Sequence, residues 1–181
     1  MAEKGRKYVN ARSGGELMVL EHWEDTGNRR FRFERMMPPG TGRGEAHVHL
    51  DFTQVWEGVQ GEATVMVEGE ERPLRGGERV ELAPETKHRD PWNLSGANAV
   101  VRAQFEPVPE FIRAYTDAYL NRAEAGELND QDELQLLQIL VIARATGGKS
   151  FATGPPLGVQ RAVLPLAALI GRLRGYRSSY D

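Results

Sequence analysis

The chain of 181 residues contains no cysteine. Disulfides, thiol catalysis and thiolate metal ligands are therefore excluded, and imidazole, carboxylate and amide are the metal ligands left. Histidine is scarce as well, at four residues. Positive charge is not in excess: 23 basic against 26 acidic residues leave a net charge of −3, which offers no general attraction to nucleic acid. The longest apolar run, Ala162–Ile170, is interrupted by Pro165 and is too short to span a bilayer, so no transmembrane segment is expected. Met1–Lys7 is charged and lacks the apolar stretch of a secretory signal, which makes the cytoplasm the expected location. Internal repeats and low-complexity segments are lacking too. What is present is an ordinary globular composition, 40% hydrophobic and 27% charged, long enough for one domain with a real core plus an appendage.

The pattern divides the chain in two. Residues 1–106 read as β-structure. Leu17–His22 and Phe31–Met37 alternate as strands around a turn through Asp25–Asn28, and Pro38–Gly42 is a loop. Gln54–Val59, Ala63–Glu68, Arg79–Leu82 and Ala97–Phe105 follow as further strands separated by glycine turns, the spacing of a sandwich or barrel. Residues 107–181 read as helical. Phe111, Tyr115, Ala118 and Tyr119 recur at helical spacing, predicting a helix over roughly Pro109–Ala125. Asp130 with Glu133 three residues later has the form of a capping box opening a second helix, which Gly147-Gly148 would end. A third helix is expected after Gly154-Pro155-Pro156, running to about Leu173 with a kink at Pro165.

Three of the four histidines fall in two clusters. The first is His47-Val48-His49, followed by Gln54 and Gly61; the second is Gly77, Ala83-Pro84 and His88. Residues i and i+2 of a strand share a face, so His47 and His49 would stand side by side. A third imidazole from a distant strand would complete a three-nitrogen face on one ion. His22 belongs to neither cluster and reads as an ordinary surface or interface residue.

With Gly42, His47, His49, Gln54 and Gly61 as one motif and Gly77, Ala83-Pro84, His88 and Asn93 as another, residues 30–106 resemble the cupin superfamily. The resemblance implies a mainly β protein: a double-stranded β-helix (jelly-roll) barrel with a metal or small-ligand site in its mouth, followed by a C-terminal α-helical extension. It also implies a homodimer. Three departures from the motifs stand out. Gln54 occupies the position of a glutamate ligand, Glu85 replaces a bend glycine, and Asn93 lies one residue late.

The expected site therefore has His47, His49 and His88 around a divalent transition metal, for which Fe, Ni, Mn and Zn all suit imidazole. Gln54 is either a fourth ligand or a hydrogen bonder behind the ligands. Glu45 shares parity with His47 and His49 and is the candidate acid/base group, whereas Glu57 should point outward and Asp51 should lie in a turn. Phe33, Arg35, Trp56, Met66, Trp92, Arg102, Gln104 and Phe105 are candidate pocket residues, with Arg35 or Arg102 available to pair with a substrate carboxylate. A site built from neutral ligands favours a small anionic molecule. These features point to a metal-binding cupin, a dioxygenase or an isomerase. A non-catalytic ligand-binding cupin is the alternative. A further alternative is an interaction or membrane-surface protein acting through the C-terminal helices, because the apolar Ala162–Ile170 is followed by Arg172, Arg174 and Arg177.

Overall fold

The computed structural model describes residues 2–179. Ten strands precede the first α-helix: β1 (Lys7–Val9), β2 (Glu16–Glu21), β3 (Phe31–Met37), β4 (His47–His49), β5 (Thr53–Gln60), β6 (Glu62–Val67), β7 (Glu70–Arg75), β8 (Arg79–Leu82), β9 (His88–Trp92) and β10 (Ala99–Glu106). Then come α1 (Glu110–Glu124), α2 (Leu136–Thr146), β11 (Ser150–Ala152) and α3 (Leu157–Leu173). The strands form two antiparallel sheets, in the orders β1-β2-β3-β10-β5-β8 and β11-β4-β9-β6-β7. Alternation explains how they pack. In β10, Ala99, Val101, Ala103 and Phe105 are buried; in β3, Phe31, Phe33, Arg35 and Met37 are. Together with Ala63, Val65 and Leu74 of the other sheet, their apolar members form one core.

Two backbone positions close this frame. Gly61, between β5 and β6, has φ +69°, and a Cβ there would sit 2.7 Å from the Asn98 carbonyl oxygen, so only glycine fits. Glu85 is left-handed as well, at φ 72°, where the cupin motif has glycine. Its backbone N–H donates to the His49 carbonyl at 2.7 Å and so anchors the histidine strand. Glu85→Gly is expected to stabilise the fold by about 0.5–1 kcal/mol, the left-handed strain relieved less the added entropy of the unfolded chain. A urea midpoint no higher than wild type would show that the side chain offsets the strain.

The C-terminal part differs from the expectation in two places. It is not purely helical: β11 adds a strand to the edge of the second sheet, with Ser150, Phe151 and Ala152 opposite His49, Val48 and His47. And no helix starts at Asp130; α2 begins at Leu136. Instead the preceding segment turns back onto the barrel. Its Leu128 and Leu134 enter the core, the Gln131 carbonyl accepts from Gly42 N–H at 2.8 Å, and the Glu133 carboxylate is drawn to a buried cation rather than to its own helix end. Helix α1 covers the barrel through Phe111, Ile112, Ala118 and Leu120.

Candidate metal centre

His47 and His88 are direct cross-strand partners, β4 against β9, with ring centroids 4.3 Å apart. His49 stands 4.7 Å from His88 and stacks on Phe52 at 3.8 Å. Gln54 projects from β5 of the other sheet; its Oε1 lies 3.1 Å from His49 Nε2 and 3.2 Å from His88 Nε2. Both sheets thus deliver polar side chains to one point of the interior. His49, Gln54 and His88 are buried, and His47 is half-buried at the entrance.

The hydrogen bonds behind the rings set their tautomers. His47 Nδ1 lies 3.0 Å from the Glu45 carbonyl oxygen and His88 Nδ1 2.9 Å from that of Thr86. A carbonyl only accepts, so both Nδ1 atoms carry the proton and both Nε2 lone pairs face the interior. At His88 that lone pair meets the Gln54 oxygen, another acceptor, across 3.2 Å. Two lone pairs so placed call for a cation between or beside them. His49 Nδ1 is buried without a hydrogen-bond partner; its Nε2–H donates to Gln54 Oε1.

The carboxylate is supplied by Asp90, which the sequence analysis did not single out. It is two residues beyond His88 and hence on the same face, the one signal that pointed to it. Its Oδ1 accepts from Gln54 Nε2 and from Trp56 Nε1, each at 3.0 Å, and lies 3.7 Å from His88 Nε2. Burial by itself would raise the Asp90 carboxyl; the imidazoles of His47 and His88 and the Trp56 N–H outweigh it and hold it below the usual value. The donor atoms of His47, His88 and Asp90 all lie within 4.8 Å of one another. Two neutral imidazoles and one ionised carboxylate suit a divalent cation, so the residues present fit a metal.

The other expected site residues divide. Phe33, Trp56 and Phe105 line the barrel interior, where Phe33 lies 5.9 Å from each of the other two rings. Arg35 also points inward, but its guanidinium is held by Glu133 Oε1 and the Asp132 carbonyl, each at 3.1 Å. Arg102 and Gln104 face outward, because β10 buries its odd-numbered residues; Arg102 pairs with Glu34 and Glu57 on that surface. Met66 pairs with Arg89, on the face opposite His88. Trp92 is turned away by a bulge: β9 uses three residues from Arg89 to Trp92 where β6 uses two from Met66 to Thr64. It is buried outside the main core, beneath Arg43 and Arg89. Glu45 is exposed, and only its backbone contributes to the histidine arrangement. His22 is buried against Trp23 rather than on the surface.

No family model matches the chain, and no curated protein does. Solved structures do. A predicted oxalate decarboxylase from Thermotoga maritima is 18% identical, with 58% of this chain and 93% of that one covered at a TM-score of 0.48. A Cupin 2 conserved barrel domain protein from Salinispora arenicola is 21% identical over 54% and 80%, TM-score 0.44, and KdgF from Halomonas sp. is 22% identical over 56% and 86%, TM-score 0.47. In the structure itself, both sequence motifs meet inside two facing antiparallel sheets. The arrangement of the two sheets is that of a cupin-like fold. At this site Gln54 of β5 contributes an amide, and the carboxylate comes from Asp90 on β9 of the facing sheet.

Acid should destabilise the metal-free protein through these rings. Burial, and after it His88 and His47, push the His49 imidazole down to about 4 from 6.5; burial lowers His88 in the same direction. Between those values the unfolded chain binds a proton that the folded protein refuses. The stability contributed by a neutral His49 is thus complete above pH 6.5 and is lost as pH falls toward 4, about 3 kcal/mol in all. Urea midpoints of chelator-treated protein at pH 7 and pH 4 measure it. His49→Gln should flatten the dependence, and an unchanged slope in that variant would contradict the assignment.

Proposed function

We propose that this cupin-like protein is a metal-dependent enzyme acting on a small, chelating anion, with dioxygenation of an enolate or phenolate as its reaction class. The supporting observation is the convergence of two Nε2 lone pairs, fixed by Nδ1–H bonds to the Glu45 and Thr86 carbonyls, on the Asp90 carboxylate. Two histidines and one carboxylate with open positions suit Fe(II) oxygen chemistry. When bound, a divalent ion supplies Lewis-acid polarisation of the chelated oxygens and, as Fe(II), electrons for dioxygen.

The protein's own residues orient and enclose. Gln54 and Trp56 hold Asp90 through its Oδ1, and His49 holds Gln54. Phe33, Phe52 and Phe105 form an apolar wall behind them, which keeps water from the inner side. Entry is from the side of His47 and Asp90, both half-buried. One carboxylate leaves a divalent site with a net charge of +1, so an anion still gains by binding. Oxygen chemistry is preferred over isomerisation because it requires no protein base: Glu45 is exposed, and Glu133 is bonded to Arg35. A cytoplasmic homodimer is the assembly that accompanies this reading, with light scattering as its check.

Elemental analysis of the purified protein beside His47→Ala/His88→Ala, followed by anaerobic Fe(II) loading and oxygen-electrode assays with small enols and catechols, tests the proposal. One metal per chain, lost in the variant, with substrate-dependent oxygen uptake is expected. Negligible metal after exposure to excess Fe(II), Ni(II), Mn(II) or Zn(II) would leave a metal-free binding module. Metal binding without oxygen uptake would overturn the oxygenase assignment.

A further inference from the structure

Helix α3 packs on α2 with one narrow side. Only Ala168 and Gly171 are buried along it, and Gly171 is required there: a Cβ would lie 2.6 Å from Val141 Cγ2. At 3.6 residues per turn, Val159, Val163, Leu166, Leu169, Ile170 and Leu173 gather on the opposite side. These six side chains are 40–80% exposed. A row of that length is not the scatter of single apolar residues found on any surface.

Charge indicates what covers it. Residues 134–179 contain no aspartate or glutamate and six basic residues, whereas residues 1–133 have seventeen basic against twenty-five acidic, a net charge of −8. Arg172 lies beyond one margin of the apolar row and Arg174 along the other, and Arg177 follows the helix, whereas Arg161 sits on the Ala168 side with its guanidinium over the Phe151 ring. Face-to-face pairing with a second copy of α3 would bring arginines together with no acidic residue of the helix to offset them. An apolar strip bordered by arginines matches the boundary between acyl chains and phosphates, where the arginine stems lie along the apolar surface and the guanidinium groups reach the headgroups. No helix among the described residues is long and apolar enough to cross a membrane, so the fit is to lying on a surface.

We propose that α3 docks this protein on an anionic lipid bilayer, with the Leu166 face in the acyl boundary and the arginines on lipid phosphates. The helix follows four residues after β11, which is bonded to the His47–His49 strand, so docking would hold the metal-centre strand close to the membrane surface.

The test is co-sedimentation of the full-length protein with vesicles of pure phosphatidylcholine and of equimolar phosphatidylcholine and phosphatidylglycerol. Binding to the anionic vesicles only, weakened by salt, is expected. Leu166→Glu/Leu173→Glu should reduce it at least about tenfold; both positions are exposed, and an unchanged thermal melt confirms that the variant folds. Failure to sediment with the anionic vesicles overturns the proposal, as does equal binding to both lipids. Loss of a dimer in light scattering on making the variant, without vesicle binding by the native protein, overturns it in favour of a contact between copies.

Discussion

Asp90→Asn lowers the affinity for a divalent metal by about 100-fold or more, and adding Gln54→Glu to the same chain restores most of the loss. The reason lies in a hydrogen bond that can be reversed. In the native protein Gln54 Nε2 donates to Asp90 Oδ1 at 3.0 Å, and Gln54 Oε1 faces His88 Nε2 at 3.2 Å. With asparagine at position 90 and glutamate at position 54, the amide of residue 90 donates to the carboxylate of residue 54. One negative charge stays beside His47 and His88. Trp56 Nε1 shares Asp90 Oδ1 with Gln54 in the native protein, so the reversed amide leaves it without that acceptor and recovery stops short of the native affinity. Competition with a chromophoric Zn(II) chelator at neutral pH compares the three chains. Native affinity in Asp90→Asn would remove Asp90 from the ligand set. Failure of the double variant to recover would mean that the carboxylate must come from β9.

Arg35→Met is the largest expected loss of stability, about 3–5 kcal/mol, because it leaves the Glu133 charge buried and unpaired. Both side chains are little exposed, 10% for Arg35 and 14% for Glu133. Arg35 also donates to the Asp132 carbonyl and lies 5.4 Å over the Tyr119 ring, while Tyr115 donates to Glu133 Oε2. Burial works against the Arg35 charge, but Tyr119 and Glu133 outweigh it. Burial raises the Glu133 carboxyl, against the pull of Arg35. Arg35→Met/Glu133→Leu removes both charges and should recover most of the loss. Urea unfolding of the native protein and both variants reads this directly. A single variant as stable as native, or a double variant no better than the single, would contradict it. The pair fastens the segment before α2 onto the barrel.

Particular residues show how far the pattern along the chain carried. Strand β3 coincides with Phe31–Met37 and α1 falls within one residue of the expected ends, since alternation and 3.6-residue spacing are local signals. Arg102 and Gln104 were misplaced by a parity choice: on β10 the buried set is Ala99, Val101, Ala103 and Phe105, and one residue of phase moves a side chain to the other face. Trp92 keeps the parity of His88 in the sequence, but the bulge reverses it in space. Glu133 imitates a helix cap in the sequence, and no local signal says that a buried arginine almost a hundred residues earlier takes its carboxylate.

Histidine spacing, the absence of cysteine and the two motifs determined by themselves a mainly β, cupin-like fold and an interior site dominated by imidazole. They did so because strand parity and glycine turns are set by neighbours along the chain. Which carboxylate stands beside His47 and His88, where Arg35 spends its charge, and that β11 borders the histidine strand were decided only by the tertiary structure. Those outcomes depend on cross-strand register and on the burial of charges brought together from distant segments, and no window of the sequence contains both partners.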